Sequence, residues 1–304
     1  MHKVMEESLL ATYDQMIAHK TIPHSLGRDT FLEQFYPVLD FYLQLQKSEF
    51  EGQTLVLGIQ GPIGIGKTTM ANVIYQSLSK LGYRVASCSI DDFYLDREQR
   101  GALRSLHQAN PYYRLQRGMP GTHDTNRMQE VIQSIKQRES TLLPNFDKSL
   151  YEGEGDVLPL STYVPEALDV LLLEGWCLGL ESTESEQFVS VVKKDDYATQ
   201  TLKDVEGETN AHHQVLQYVA AYQSVWELVD HYTFLTPADT AHIMDWRLSQ
   251  EQQLWERKGR GMNEVSTRHF IRHFIPFLFY LAEHTAKNTT GAQIIQVGKD
   301  RGFV

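Results

Sequence analysis

The sequence predicts an α/β fold in which a parallel five-stranded sheet is covered by helices on both faces. Three observations predict it. Five short apolar runs rich in strand formers recur along the chain, at 54–59, 84–90, 169–174, 229–235 and 293–297. Helical periodicity fills most of the stretches between them, as at 126–138 and 238–258, and strands alternating with helices build parallel sheets. The first run ends in a glycine-rich loop that leads straight into a helix, GIQGPIGIGKTTM.

Taken in order, residues 1–52 read as a helical extension, with Phe31, Phe35, Val38, Leu39 and Tyr42 at spacings of three and four. Residues 53–304 then form the main unit. After the glycine loop, Met70, Val73, Ile74, Leu78 and Leu81 fall on one helical face. The second and third runs end in acids, SIDDFYLD and VLLLEGW. Residues 178–211, rich in Glu, Asp, Ser and Thr with little periodicity, read as a surface excursion with partial mobility. A basic, glycine-interrupted helical segment follows at 246–272, and its shape is that of a lid.

Composition narrows the function classes. A formal charge of −11 argues against a general nucleic-acid or anionic-membrane binder. The first residues, MHKVMEESLLATYDQM, lack the apolar core of a signal peptide, and no run approaches the ~18 apolar residues of a membrane span. Cys88 and Cys177 sit in apolar contexts and read as free buried thiols. A cytoplasmic location is the expectation. Oligomeric state is left open by the sequence.

The glycine loop carries the most specific chemistry. Gly61, Gly66, Lys67 and Thr68 match the G-x-x-x-x-G-K-[ST] phosphate-binding pattern. Its cradle comprises Gly61, Pro62, Ile63, Gly64, Ile65, Gly66, Lys67, Thr68 and Thr69, whose amides can turn toward an anion at the positive end of a helix. Lys67 supplies a point charge to the terminal phosphates, and Thr68 a hydroxyl to Mg²⁺. The flanking strand and helix are the context that such a loop requires, so nucleotide binding follows. No guanine-reading Asn-Lys-x-Asp and no LSGGQ-like run is present.

The remaining candidates lie at the strand ends, where ligands bind in α/β folds. Asp91 fits a base that accepts a hydroxyl proton during phosphoryl transfer, with Asp92 orienting it or reaching metal through water. Glu174, after four apolar residues, fits a Mg²⁺ carboxylate beside Thr68 and Asp91. Arg117, His123 and Asp124 in RGMPGTHD, Tyr94, and Lys148 in LPNFDKS are candidate acceptor contacts. The same residues also suit turns and helix caps. Arg247 is the candidate phosphate contact in the basic segment, with Arg257, Lys258, Arg260, Arg268 and Arg272. That segment equally suits a solvated face with pairs such as Glu256–Arg260 and Glu264–Arg268. His107, His212 and His213 have no ligand-like spacing, so no transition-metal site is expected.

GPIGIGKTT, SIDDFYL, RGMPGTHD, LPNFDKS, LLLEGWCLG and WRLSQE…GMNEVSTRHFIRHFIP occur in the order found in D-glycerate 3-kinases. These motifs run from Thr54 to Tyr280. The chain thus resembles that family of phosphate-loop kinases, related to phosphoribulokinase, uridine kinase and pantothenate kinase. The resemblance implies a P-loop sheet of five parallel strands, ATP and Mg²⁺, and transfer to the 3-hydroxyl of D-glycerate. It implies that Asp91 with Phe93 is the base motif, Glu174 the Glu of the Glu-Gly motif, His123–Asp124 the His-Asp pair, and Trp246–Arg247 the opening of the lid. The chain carries Val157 and His273 where the family tends to have Arg. A nucleoside or pantothenate-like acceptor, or an ATP-binding regulatory protein without transfer, are the alternative readings.

Overall fold

The computed structural model describes residues 2–22, 25–207, 209–258 and 261–304. The side chains of Arg257 and Lys258, Arg260, and with it the expected Glu256–Arg260 pair, lie outside the described residues.

Two helices open the chain, α1 (His2–Ala18) and α2 (Arg28–Glu49). They bury the stripe that the periodicity predicts: Phe31, Leu39 and Tyr42 are all at or below 1 % exposure. α1 and α2 pack on each other and on α3 (Lys67–Lys80). Polar pins fix them: Ser8 donates to the Ser77 carbonyl at 2.9 Å, and Tyr42 Oη lies 2.5 Å from Thr233 Oγ1.

Between α2 and α3 runs β1 (Leu55–Gln60), with every residue buried. A strand hidden on both faces needs apolar residues without alternation, and LVLGIQ supplies them. β2 (Val85–Ser89) follows, then α4 (Arg97–Leu106) and α5 (Thr125–Lys136). Two small antiparallel ribbons come next. β3 (Thr141–Leu143) pairs with β6 (Thr162–Val164), and inside that pair β4 (Phe146–Asp147) meets β5 (Asp156–Val157). The chain returns to the main sheet as β7 (Val170–Gly175).

The stretch read as a mobile surface excursion is instead two packed helices, α6 (Ser185–Val192) and α7 (Asp196–Glu206). Its acidic composition conceals an apolar stripe: Phe188, Val192 and Ala198 are 0 % exposed. Asp195 caps α7 through Ala198 N–H at 2.7 Å. Glu206, although an acid, is buried against His212, accepting its backbone N–H at 2.7 Å and facing Nδ1 at 2.8 Å. Both helices stack on the later helix α12 (Ile275–Tyr280).

The rest of the chain is α8 (His212–Val219), the short α9 (Gln223–Trp226), β8 (His231–Pro237), α10 (His242–Lys258), α11 (Glu264–Arg272), α12 (Ile275–Tyr280), the single turn α13 (Ala286–Asn288) and β9 (Gln293–Val297). The main sheet has five strands in the order β2-β7-β1-β8-β9, all parallel. β1 lies at the centre with β7 beside it, and the register sets Ile59 and Ser89 on either side of Glu174. The carboxyl ends of β1, β2 and β7 therefore converge on one rim. Cys88 and Cys177 are buried and free, and burial pushes both thiols up, so they stay protonated.

Candidate active site

The loop after β1 is shaped by close approach. A Cβ on Gly61 would sit 3.0 Å from the Leu235 carbonyl oxygen and from the Ile65 side chain. Gly64 and Gly66 have φ of 87° and 118°, left-handed values that favour glycine. Ile65 is buried and anchors the loop, with Pro62 buried and Ile63 and Thr69 half-buried beside it. α3 starts at Lys67 with no side-chain cap. Its first-turn amides are thus left for an anion. Lys67 Nζ donates to the Pro62 carbonyl at 3.1 Å, bending back over the loop. Burial lowers its pKa, while Glu174 and Asp91 favour the ammonium. Thr68 Oγ1 donates to Glu174 Oε1 at 3.0 Å, which joins the loop to the end of β7. The hydroxyl and carboxylate are the donor set a hard cation takes. Next to Glu174, a Cβ on Gly175 would lie 2.5 Å from Ile90. This glycine lets the turn after β2 close on β7.

That turn, Ile90–Phe93, is held by a reciprocal cap. Asp91 N–H donates to Ser89 Oγ at 3.2 Å and Ser89 N–H to Asp92 Oδ2 at 2.9 Å. Asp92 thus builds the turn, and burial raises its pKa. The turn aims Asp91 at two cationic or donor groups. Lys148 Nζ is 2.5 Å from Oδ2, and His123 Nε2 is 3.9 Å from Oδ1. Burial works to raise the Asp91 carboxyl, but Lys148 and His123 outweigh it and hold it well below the usual carboxylate range.

His123 is buried, with Nδ1 2.7 Å from Tyr222 Oη. Tyr94 stacks on its ring at 4.4 Å, and Phe146 backs Tyr94 at 4.9 Å. Burial lowers the His123 pKa against the pull of Asp91. Backbone bonds zip the two turns together: Leu95 N–H to the Thr122 carbonyl at 3.0 Å and Asp124 N–H to the Phe93 carbonyl at 2.7 Å. The Asp124 carboxylate itself caps α5 through Arg127 N–H at 3.0 Å.

Arg117 is engaged with the main chain. Its Nη1 donates to the carbonyls of Gly153 and, at 3.0 Å, Glu154. Arg100, only 5 % exposed, completes the scaffold. It donates to the Leu95 carbonyl at 2.5 Å and to the Gly155 carbonyl at 2.5 Å, and lies 4.9 Å over Phe146. The two arginines thus hold the ribbon that carries Lys148. Val157, where a family arginine was expected, pairs with Phe146 in that ribbon.

On the third side, Trp246 backs the phosphate loop: a Cβ on Gly64 would lie 3.1 Å from its Cβ. Arg247 is ion-paired with Glu251, donates to Gln250 at 2.8 Å, and leaves Nε buried without a hydrogen-bond partner among the described residues. Arg268 pairs with Glu264 at 2.9 Å, the i,i+4 contact the spacing predicts. His273 is 3 % exposed and is hydrogen-bonded through Nδ1 to the His269 carbonyl at 2.7 Å.

Sequence reasoning missed three residues here. Arg100 lies on the polar-rich α4, Tyr222 on a turn with no motif, and Arg301 near the C-terminus. Arg301 Nε donates to the Gly64 carbonyl at 2.8 Å and Nη2 to the Trp246 carbonyl at 3.2 Å. It ties the loop to the foot of α10.

No protein-family model matches the chain. It is 28 % identical to a probable ATP-dependent kinase of Saccharomyces cerevisiae, TDA10, over 86 % of this chain and 90 % of that protein. It is also 28 % identical to the chloroplastic D-glycerate 3-kinase of Arabidopsis thaliana, over 78 % of this chain and 50 % of that one. Among solved structures, a D-glycerate 3-kinase from Cryptococcus neoformans superposes with a TM-score of 0.77 at 26 % identity. That match covers 88 % of this chain and 97 % of the other. The phosphate loop, the strand order and these similarities agree: the chain is an ATP-dependent small-molecule kinase with a P-loop fold, and it is similar to the D-glycerate 3-kinases.

Proposed function

We propose that this kinase phosphorylates D-glycerate on its 3-hydroxyl, with ATP as donor and Mg²⁺ as cofactor. The observation that carries the reading is the Lys148–Asp91 pair at 2.5 Å, near enough to Lys67 for both charges to act on it. A carboxylate fit to take a proton stands beside an ammonium able to hold the carboxylate of an anionic acceptor. In this reading Lys67 and the loop amides bind the β- and γ-phosphates. Asp91 takes the proton from the acceptor hydroxyl while the hydroxyl oxygen bonds to the γ-phosphorus. The bond from that phosphorus to the β–γ bridging oxygen breaks, and ADP leaves. Thr68 and Glu174 would hold Mg²⁺, which when bound neutralises phosphate charge. Among the described residues no three His, Cys, Asp or Glu side chains converge as a metal cage. One carboxylate and one hydroxyl, completed by phosphate oxygens and water, is a donor set that suits Mg²⁺.

Residues 1–52 act here as a brace on α3, residues 53–304 as the catalytic unit, and 246–272 as the lid, with Arg247 released from Glu251 to meet phosphate as it closes. Asp92, Tyr94, Arg117 and Asp124 then shape the acceptor site by positioning Asp91, His123 and Lys148. Among the described residues no helix is long and apolar enough to cross a membrane. The deciding experiment is an acceptor panel of D-glycerate, uridine and pantothenate with Mg-ATP, scored by ADP release. Release with D-glycerate is expected. Silence there with turnover on uridine or pantothenate overturns the substrate, and silence on all three overturns the whole reading.

A further inference from the structure

Tyr222 has no part in the reaction described above, yet it is buried to 1 % exposure against His123, the neighbour of the central carboxylate. Its phenol oxygen accepts Gly121 N–H at 3.0 Å, and the backbone N–H of His123 also bears on it. The same oxygen lies 2.7 Å from His123 Nδ1. A phenol has one proton to give and two lone pairs to receive with. Amide donors face the lone pairs, so the hydroxyl proton goes to the acceptor in reach, Nδ1. Burial holds the Tyr222 pKa well above its usual value, so that proton stays in place. A neutral imidazole that accepts at Nδ1 carries its own proton on Nε2.

Nε2 is buried, has no hydrogen-bond partner among the described residues, and lies 3.9 Å from Asp91 Oδ1. That distance is too long for a hydrogen bond, and one oxygen about 2.8 Å from each atom would bridge it. Because the His123 side chain is 0 % exposed, the partly exposed Asp91 must shift to admit that oxygen. Lys148 bonds the other carboxylate oxygen, Oδ2. The ring cannot easily turn away, because Tyr94 covers one face at 4.4 Å and Tyr222 meets it edge-on at 5.8 Å.

We propose that Tyr222 is a positioning residue for phosphoryl transfer: its hydroxyl fixes the His123 tautomer so that Nε2–H holds the acceptor oxygen against Asp91 Oδ1. The inference rests on the kinase reading for the identity of that oxygen. The acceptor hydroxyl gives its proton to Asp91 as its oxygen bonds to the γ-phosphorus, with ADP leaving. It accepts a hydrogen bond from His123 throughout, and the His123 proton is not transferred.

The test reads tautomer and turnover separately. Protein labelled with ¹⁵N-histidine is examined by long-range ¹H–¹⁵N correlation, with His123 assigned by its loss in His123→Gln. The wild type should carry the proton on Nε2, and Tyr222→Phe should lose that preference. Tyr222→Phe should also lower kcat about tenfold, the worth of one hydrogen bond, without changing the KM for ATP. His123→Gln keeps an N–H near the Nε2 position without a second ring nitrogen, so adding Tyr222→Phe to it should cost no further turnover. A proton on Nδ1 in the wild type overturns the proposal. So does an unchanged tautomer or unchanged kcat in Tyr222→Phe, or a full second loss in the double variant. Should Tyr222→Phe fail to fold, the wild-type tautomer alone decides. Silence of the wild type on D-glycerate with turnover on another acceptor would sink only the substrate reading, and the kinetic arms then run on that acceptor.

Discussion

The two halves of the catalytic rim are built by different means. On the donor side, one continuous stretch from Gly61 to Thr69 makes the cradle, and distant residues only brace it, Glu174 at Thr68 (3.0 Å) and Arg301 and Trp246 at Gly64. On the acceptor side, no stretch is sufficient by itself. Asp91, His123 and Lys148 come from three separate loops, and Arg100 and Arg117 hold those loops by their carbonyls. The donor half is therefore a local device that tolerates change elsewhere. The acceptor half is an assembly, and loss of a distant strut should be felt as loss of substrate recognition.

The largest expected effect lies where the halves meet. Asp91→Asn removes the proton acceptor but keeps the shape, so kcat should fall by roughly 10²–10⁴. ATP affinity, measured by equilibrium binding, should remain. Turnover near that of the wild type would take Asp91 out of the role. A parallel loss of ATP binding would break the separation of halves.

Next in size is Arg100→Met. The buried guanidinium donates to carbonyls of Leu95, Glu154 and Gly155. Leaving those acceptors unpaired should cost about 3 kcal/mol, felt locally. Amides of 145–157 should exchange faster while those of β1 and β7 keep their protection. The acceptor KM should rise with the ATP KM unchanged. Uniform loss of protection across the sheet would mean that the ribbon is not a separate unit.

This contrast also explains what could be read from the sequence. Five buried parallel strands leave unbroken apolar runs, and a phosphate loop is contiguous, so both were legible, as were Asp91 and Glu174 at the strand ends. Arg117 read as a candidate acceptor contact, whereas its hydrogen bonds to the Gly153 and Glu154 carbonyls were not legible, because carbonyl acceptors leave no trace in residue identity. Tyr222 meets His123 across 99 positions, and Arg301 meets Gly64 across 237. At such separations no spacing rule operates. The packed helices α6 and α7 escaped notice for another reason: Glu, Asp, Ser and Thr dominate residues 178–211, and the short apolar stripes that seat the helices, Phe188 and Val192 among them, are diluted in that composition.

A third prediction addresses the packing at the end of α11, outside both halves. His273, buried beside Tyr112 and donating to the His269 carbonyl, is pushed down to about 4 by burial, with His269 and Arg272 adding to the shift. Its folded pKa is below the ordinary 6.5. The unfolded chain thus binds the proton first, and the stability is full above 6.5 and lost as pH falls toward 4. At pH 5 this one ring should cost about 2 kcal/mol. Thermal melts of His273→Phe should be lower than wild type at pH 7 but should decline less between pH 7 and 5. Parallel declines would exclude His273 as the acid-labile group.

The smallest effect on stability belongs to Lys148, and it is the most specific test of the acceptor half. The Lys148 and Asp91 side chains are 54 % and 24 % exposed. A pair so open to water is worth at most about 1 kcal/mol, so Lys148→Met should barely move the melting temperature. Its kinetic effect should be selective. Without the ammonium, the KM for an anionic acceptor should rise about tenfold, the worth of one lost charged contact, while the KM for ATP stays put. A second consequence concerns pH. Burial raises the Asp91 carboxyl and Lys148 is the strongest counterweight. Removing it should bring an acid limb into kcat/KM at higher pH than in the wild type, since a base with a raised pKa is protonated sooner. An unchanged acid limb would mean that His123 alone holds Asp91 ionised. An equal rise in both KM values would mean that Lys148 serves the donor side, and the line between the halves would have to be redrawn through the ribbon.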